Sequence, residues 1–268
     1  MLPLPLLTIA GSDSGGAAGL QADLKTWAAL GQNAISVYGM SAITAVTAQN
    51  SVAVKQAHYL PPEMIAAQID AVLGDYGAAA IKTGFLGRVE IIEAVAERLA
   101  LWRETLQPRP YIVIDPVLVN HRGEAMFSPD VAAAYRELLF PLADLITPNA
   151  AEAALLEVTS DERRVTSSSR LPDGPRMLLK GLRRGAEIVD VYWDGAELVE
   201  LPQPRIDTAN THGSGDTLSA AVCAFVAQGY DWLEAIRRAQ AFTYAAIRRG
   251  AGWRLGAGHG PLGHFSDE

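Results

Sequence analysis

The residues best suited to chemistry lie in the stretch 210–217, where a serine between two glycines precedes an aspartate and an apolar helical pattern. Gly213, Ser214 and Gly215 let the backbone turn tightly and present its N–H groups, and the positive end of the following helix adds to them. This cup suits a phosphate or a transferring phosphoryl group. Asp216 fits there if it takes a proton from an attacking hydroxyl. The motif predicts a kinase acting on a small alcohol; the alternative is a loop with an ordinary helix cap.

Composition narrows the classes of protein to consider. The 268 residues carry a net charge of −8, which argues against nucleic acid or an anionic membrane as a partner. Hydrophobic residues make up 49% and charged residues 19%, as in a globular chain with a large core. The apolar stretch Leu2–Ala10 is too short for a membrane span and lacks the layout of a signal peptide. The single cysteine, Cys223, cannot form an internal disulfide, so we expect a cytoplasmic protein.

Short apolar runs alternate with longer helical patterns, which predicts parallel βαβ construction and one α/β domain over 1–268. The predicted strands are Leu6–Ile9, Ala34–Tyr38, Ile43–Ala48, Ala79–Lys82, Tyr111–Ile114, Leu145–Thr147, Met177–Leu179, Val189–Trp193 and Leu198–Leu201. The predicted helices are Gln21–Leu30, Pro62–Leu73, Val89–Arg103, Val131–Leu139, Ala151–Glu157, Thr217–Gln228 and Trp232–Arg249. The polar stretch Thr159–Gly174 is predicted to be a surface loop.

A series of ordered motifs spans nearly the whole chain and resembles the hydroxymethylpyrimidine/phosphomethylpyrimidine kinases of thiamine biosynthesis. The motifs are residues 8–16 (TIAGSDSGG), 19–26 (GLQADLKT), 38–44 (YGMSAIT), 48–50 (AQN), 82–84 (KTG), 115–117 (DPV), 146–149 (ITPN), 210–216 (NTHGSGD) and 260–261 (GP). The resemblance implies a ribokinase-like fold, with a central, mostly parallel sheet flanked by helices on both faces. It also implies ATP and Mg²⁺ as co-substrates and a homo-oligomer, expected to be a dimer.

The resemblance assigns the acceptor pocket. The loop Gly11–Gly19 has neither the P-loop nor the dinucleotide-binding pattern, so a simple turn is the alternative. The resemblance makes Gly11 a wall of the pocket and Asp23 a hydrogen-bond acceptor for the substrate hydroxyl; the alternative for Asp23 is an exposed helix carboxylate. Gln49 can donate and accept along one edge, which matches an aminopyrimidine. Phe85 either stacks on the substrate or belongs to the core.

The nucleotide side is expected at Asn149, Lys180, Thr211 and His212, with His212 ordering its loop. Asn149 and Glu152 form an Asn-x-x-Glu pair that can hold Mg²⁺ through water, and Asp115 at a strand end can assist the same ion. The alternative for the pair is a helix N-cap with an acidic first turn. Lys180 is expected to be a cation that faces phosphate.

The predicted reaction is transfer of the ATP γ-phosphate to the hydroxymethyl group of 4-amino-5-hydroxymethyl-2-methylpyrimidine, and then to the resulting monophosphate. Members of the resembled family commonly carry a cysteine where this chain has Asp216. Two alternatives stay open at this point: a pyridoxal kinase, and a ligand-binding relative without activity. The complete 213–216 motif argues against the second, since a protein that only binds has no need for Asp216.

Overall fold

A computed structural model describes residues 2–32, 36–120, 122–158 and 174–265 of the chain. Its centre is one nine-stranded sheet. Its strands are β1 (Leu4–Ser12), β2 (Val37–Gln49), β3 (Val54–Tyr59), β4 (Ala80–Thr83), β5 (Tyr111–Ile114), β6 (Leu145–Ile146), β7 (Arg176–Arg184), β8 (Glu187–Trp193) and β9 (Leu198–Pro204). They pair in the order β3-β2-β1-β4-β5-β6-β7-β8-β9. The pairs from β2 to β7 are parallel, and β3, β8 and β9 join by antiparallel pairing.

Helices cover both faces of this sheet. They are α1 (Gly19–Gln32), α2 (Pro62–Asp75), α3 (Val89–Thr105), α4 (Pro129–Ala134), α5 (Ala150–Leu155), α6 (Ser214–Ala227) and α7 (Trp232–Gly250). Side chains alternate along each strand, so Leu7 and Ile9 of β1 pack with α2, α3 and α4, whereas Leu6 packs with α1, α6 and α7. Two apolar layers sandwich the sheet, which confirms the predicted α/β fold class.

Several predicted elements have different bounds. The two pieces predicted at 34–38 and 43–48 form one strand, because β2 pairs with β1 continuously from Val37 to Ile43; residues 34 and 35 lie outside the described residues. Strand β3 is not among the predicted strands, since most of its residues are exposed and show no apolar alternation. The helix predicted at 131–139 is α4 followed by a π-helical turn, Tyr135–Leu139. The predicted loop Thr159–Gly174 lies, except for Gly174, outside the described residues.

The carboxyl ends of the parallel strands meet at one edge of the sheet, where open α/β folds bind ligands. The loop Gly11–Gly19 follows β1, Gly84 follows β4, and Asp115 follows β5. Asn149, which follows β6, bridges to Lys180 of β7. The topology therefore brings the sequence motifs together. In the part of the chain described here, no helix is long and apolar enough to cross a membrane.

Candidate active site

A cleft of about 1140 Å³ lies along this edge of the sheet. All but one of the residues predicted from sequence line it. They are Gly11, Gln49, Phe85, Asp115, Asn149, Glu152, Lys180, Thr211, His212, Gly213, Ser214, Gly215 and Asp216. The exception is Asp23. The cleft thus joins a predicted acceptor end to a predicted nucleotide end, with the start of α6 between them.

The loop that leads into α6 is held against the loop that follows β1. Gly213 has φ = 83°, and a Cβ there would lie 1.8 Å from the carbonyl oxygen of Ala17, so only glycine fits. The Ser214 N–H donates to the carbonyl of Thr211 at 3.1 Å. The amides of Gly215 and Asp216 lie in the first helical turn, where no carbonyl of the helix can accept them. This geometry is compatible with the anion site expected from the sequence, and anion binding there stays a prediction.

Asp216 lies at the border of the cleft and the protein interior. Its side chain is 14% exposed, and its Oδ1 lies 3.0 Å from Nζ of Lys82. Its Oδ2 accepts a hydrogen bond from the Gly19 N–H at 3.1 Å. Burial raises the pKa of the Asp216 carboxyl, but the Lys82 ammonium and the Gly19 N–H lower it by more, so the pKa lies below its ordinary value. Asp216 is therefore a carboxylate at neutral pH.

Both interpretations of Asp23 from the sequence are wrong, because this residue neither lines the cleft nor is an exposed helix carboxylate. Its side chain is fully buried, with Lys82 Nζ at 2.8 Å from Oδ1 and 3.0 Å from Oδ2. Thr8 Oγ1 donates to Oδ2 at 2.6 Å. Burial raises the pKa of Asp23 to about 7, partly countered by Lys82 and reinforced by Asp216. Helix α1 directs Asp23 onto the centre of the sheet, out of reach of the cleft.

Lys82 is the residue that sequence reasoning missed. The sequence analysis gives Lys82 no role beyond the 82–84 motif. In the structure its ammonium is fully buried between Asp23 and Asp216. A signal was present, because a lysine within the short apolar strand β4 (AIKT) requires a buried counter-charge. What the sequence could not show is which carboxylates supply it.

The acceptor end of the cleft has an aromatic wall. The half-buried ring of Phe85 stacks with Tyr59 at 6.0 Å between centroids and contacts Phe127 at 5.6 Å. A Cβ on Gly11 would lie 3.0 Å from Cδ1 of Phe85, so the missing side chain makes room for this ring. Phe85 lines the cleft, so it is not only a core residue. Its ring offers an apolar face to a flat ligand.

Gln49 and His212 join the acceptor end to the loop before α6. Nε2 of Gln49 lies 3.2 Å from Nε2 of His212. The backbone N–H of His212 donates to the carbonyl of Gly260 at 3.0 Å, and its ring packs 5.4 Å from that of His259. His212 thus links three segments, as expected of a residue that orders the loop. Thr211 contributes a hydroxyl 2.7 Å from Nε2 of His259.

The segment 250–264 packs against the loop that precedes α6 and is hydrogen-bonded to it. The side-chain amide of Asn210 donates to the carbonyls of Gly250 at 2.7 Å and Trp253 at 2.8 Å. Nε2 of His264 lies 2.9 Å from the Thr217 hydroxyl. Burial, helped by nearby cations, lowers the pKa of His264 to about 4, so this contact is made by a neutral ring. Residues on both sides of the Gly-Ser-Gly-Asp motif are therefore tied to the segment that follows α7.

Lys180 places a cation beside the start of α6. Its Nζ lies 2.5 Å from Oδ1 of Asp115, and Oδ2 of Asp115 accepts from the Ser219 hydroxyl at 3.2 Å. A Cβ on Gly215 would lie 2.9 Å from the same ammonium. Lys180 and the first turn of α6 therefore lie close enough to act on one bound anion, and the role of Lys180 toward phosphate stays a prediction.

Asn149 and Glu152 form the capping box that the sequence offered as an alternative. The Glu152 N–H donates to Oδ1 of Asn149 at 3.0 Å, and the Asn149 N–H donates to Oε2 of Glu152 at 2.9 Å. Burial raises the pKa of Glu152 to about 7, partly countered by Lys180 and reinforced by Asp115. Over the described ranges, no three His, Cys, Asp or Glu side chains cluster as an all-protein metal cage.

Comparisons with known proteins identify the family of this chain. Residues 13–263 match a family model described as phosphomethylpyrimidine kinase. A hydroxymethylpyrimidine/phosphomethylpyrimidine kinase of Rhizobium meliloti is 43% identical, over 97% of this chain and 96% of its own length.

Solved structures also match the whole fold. A pyridoxal kinase from Staphylococcus aureus in complex with AMP-PCP has a TM-score of 0.85 at 32% identity, covering 98% of this chain and 94% of its own. A phosphomethylpyrimidine kinase from Clostridium difficile has a TM-score of 0.76 at 35% identity, covering 91% of this chain and 99% of its own. With the family model spanning almost the entire sequence, the chain belongs to the phosphomethylpyrimidine kinase family.

Proposed function

We propose that this chain transfers the γ-phosphate of ATP to the hydroxymethyl group of 4-amino-5-hydroxymethyl-2-methylpyrimidine, and then phosphorylates the resulting monophosphate. The observation that carries the proposal is the charged Asp216 at the start of α6, between the aromatic wall and the nucleotide end. The names of the curated relatives, which are 43% identical over nearly the whole chain, support the choice of substrate.

In the first transfer, the substrate hydroxyl oxygen attacks the γ-phosphorus and its proton passes to the Asp216 carboxylate. The bond from the γ-phosphorus to the bridging oxygen breaks, and ADP leaves with that electron pair. The free amides of the first turn of α6 and the Lys180 ammonium stabilise the negative charge on the transferring group. Gln49 and Phe85 hold the pyrimidine by its polar edge and by its face.

The carboxylates at the nucleotide end fit a hydrated Mg²⁺. Asp115 and Glu152 both line the cleft and offer hard oxygen donors, and Asn149 adds an amide oxygen. The hydrogen bonds that these carboxylates accept leave further lone pairs on their oxygens. Asp115 and Glu152 would hold the ion through water, and the ion would neutralise charge on the ATP phosphates. The dimer, the cytoplasmic location and the single domain implied above stay predictions.

The test of the proposed function is a substrate comparison. Steady-state phosphorylation is measured with the hydroxymethylpyrimidine and with pyridoxal at the same saturating ATP and Mg²⁺. We expect a higher kcat/KM for the pyrimidine. Pyridoxal is the second candidate because the pyridoxal kinase structure has a TM-score of 0.85, although its 32% identity is below the 43% of the pyrimidine kinase. A preference for pyridoxal would overturn the proposal.

Gln49 gives a prediction about pyrimidine recognition. Gln49→Ala should raise KM for the pyrimidine and leave KM for ATP nearly unchanged, because it strips the partners from a polar edge. Leaving such a buried group unpaired costs about 1–3 kcal/mol. The control is Gln56→Ala, the same change at an exposed position of β3 that does not line the cleft. Equal losses for ATP and pyrimidine would assign Gln49 a structural role through its contact with His212.

The second transfer gives another prediction, because its acceptor is a phosphate monoester. That group is mostly dianionic near neutral pH, with its second pKa at about 6, so it needs no base and is repelled by a charged Asp216. A cysteine in its thiol form carries no charge, so Asp216→Cys should raise the ratio of second-step to first-step kcat/KM. The ratio is measured by following each product separately. An unchanged or lower ratio in the cysteine variant would exclude charge repulsion by Asp216 as the limit on the second step.

A further inference from the structure

Three charged groups share one buried position behind the cleft. The Lys82 ammonium lies within 3.0 Å of both Asp23 oxygens and of Oδ1 of Asp216. The side chains of Lys82 and Asp23 are fully buried, and neither residue lines the cleft. Asp216 does line it. Lys82 and Asp23 can therefore reach a substrate only through Asp216.

The surrounding strands fix the ammonium in place. Lys82 lies on the central strand β4, in register with Thr8 of β1 on one side and Val113 of β5 on the other. Thr8 holds Asp23 from below through its hydroxyl. A Cβ on Gly84 would lie 3.1 Å from Lys82 Nζ and 3.1 Å from Cβ of Ala10, so the glycine leaves just enough room for the ammonium. The position of the ammonium is therefore set by β4, which carries Lys82, and by its contacts with Asp23 of α1 and Asp216 of α6.

We propose that Lys82, anchored by Asp23, is a positioning residue that fixes the Asp216 carboxylate at the cleft and keeps it charged until the substrate proton arrives. The inference deepens the proposed function and rests on Asp216 being the base. Lys82 holds Oδ1 of Asp216 while the Gly19 N–H holds Oδ2, so the plane of the carboxylate is set by two contacts. Each oxygen keeps a lone pair for the incoming proton.

The charges around the Asp216 carboxylate determine whether each variant should raise or lower its pKa. The Asp216 carboxylate interacts with the ammonium groups of Lys82 in β4 and Lys180 in β7, and Lys82 also interacts with Asp115, which follows β5. Cys223 of α6 is a neutral thiol, since burial raises its pKa. A base works only when deprotonated, so the rate falls as pH drops through the pKa of Asp216. Without the ammonium, burial dominates and that pKa rises, so activity is lost at a higher pH than in the wild type.

The experiment compares Lys82→Met with Asp23→Asn, and uses Lys55→Met on the exposed strand β3 as the matched control. The first readout is the titration of the Asp216 carboxyl by 13C NMR in protein labelled at aspartate, with Asp216→Asn giving the assignment. The second is the pH profile of kcat/KM for the pyrimidine. For Lys82→Met we expect two changes of the same size. The NMR titration of the Asp216 carboxyl and the acid limb of the kcat/KM profile should both move to higher pH, by about 1–3 pH units.

Asp23→Asn should not show that rise, because Lys82 still faces Asp216 and the asparagine resembles a protonated Asp23. Its titration should stay in place or move to lower pH. Lys82→Met leaves Asp23 buried without its ammonium, which can prevent folding. The double variant Asp23→Asn/Lys82→Met removes both members of the pair and should show the same rise as Lys82→Met.

Failure of this inference and failure of the proposed function give different results. If the Asp216 titration stays at the wild-type pH in both Lys82→Met and the double variant, Lys82 does not control the carboxylate and the inference is wrong. If both Lys82→Met and Asp23→Asn lose rate equally at all pH values, their role is structural only. The NMR titration needs no turnover, so it remains decisive even where the pyrimidine is not a substrate.

Discussion

Asp216→Asn should remove most turnover while leaving the fold and ATP binding intact. An amide cannot take the proton of the substrate hydroxyl, and general-base contributions are on the order of 10²–10⁴-fold in rate. The fold should survive because the buried Lys82 ammonium keeps its contacts with both oxygens of Asp23, and an amide oxygen can still accept from Gly19. The measurement is kcat for the pyrimidine, together with Kd for ATP and Tm.

The matched control for this change is Asp207→Asn. Asp207 is a fully exposed carboxylate near the same loop that does not itself line the cleft, so its amide variant makes the same change in net charge without touching the site. Its kcat should equal that of the wild type. A near-normal kcat in Asp216→Asn would exclude the base, and a parallel loss of ATP binding would mean that Asp216 supports the nucleotide end instead.

Gly213→Ala should abolish efficient transfer by displacing the loop before α6. The residue has φ = 83°, which costs a non-glycine residue about 1–2 kcal/mol, and its new Cβ would lie 1.8 Å from the carbonyl oxygen of Ala17. The two loops must move apart to relieve this overlap. A displacement of about 1 Å at a reacting group can lower the rate by about 10²-fold. The measurements are kcat and the free energy of unfolding.

Gly229, just beyond the other end of α6, isolates the steric part of that effect. Its φ is 92°, but a Cβ there meets no atom within 4 Å. Gly229→Ala should therefore carry the conformational cost alone and keep normal kcat. If the two alanine variants behave alike, contact between the loops is unimportant for the site.

The sequence predicts the cleft-lining residues well because they sit in loops whose motifs are local. Gly213 to Asp216 form one turn and the start of one helix, and the Asn149–Glu152 capping box spans a single helical turn. Such features depend on near neighbours in the chain. For the same reason the parallel strands were predicted from their short apolar runs.

The errors concern contacts between distant parts of the chain. The resemblance assigns Asp23 to the substrate hydroxyl, but its side chain is buried in an ion pair with Lys82, which lies on the distant strand β4. Strand β3 is held by main-chain pairing with β2 at an exposed edge, so its side chains carry little apolar signal. Neither pairing can be derived from local periodicity.

The ties between the loop before α6 and the segment 250–264 have a consequence for synthesis of the chain. Asn210, His212 and Thr217 contact Trp253, Gly260 and His264, which the ribosome adds after every described strand and after both α6 and α7. A nascent polypeptide can therefore form its sheet while the turn that carries Asp216 still lacks these contacts. We therefore expect the turn that carries Asp216 to be the last part of the site to become ordered during synthesis.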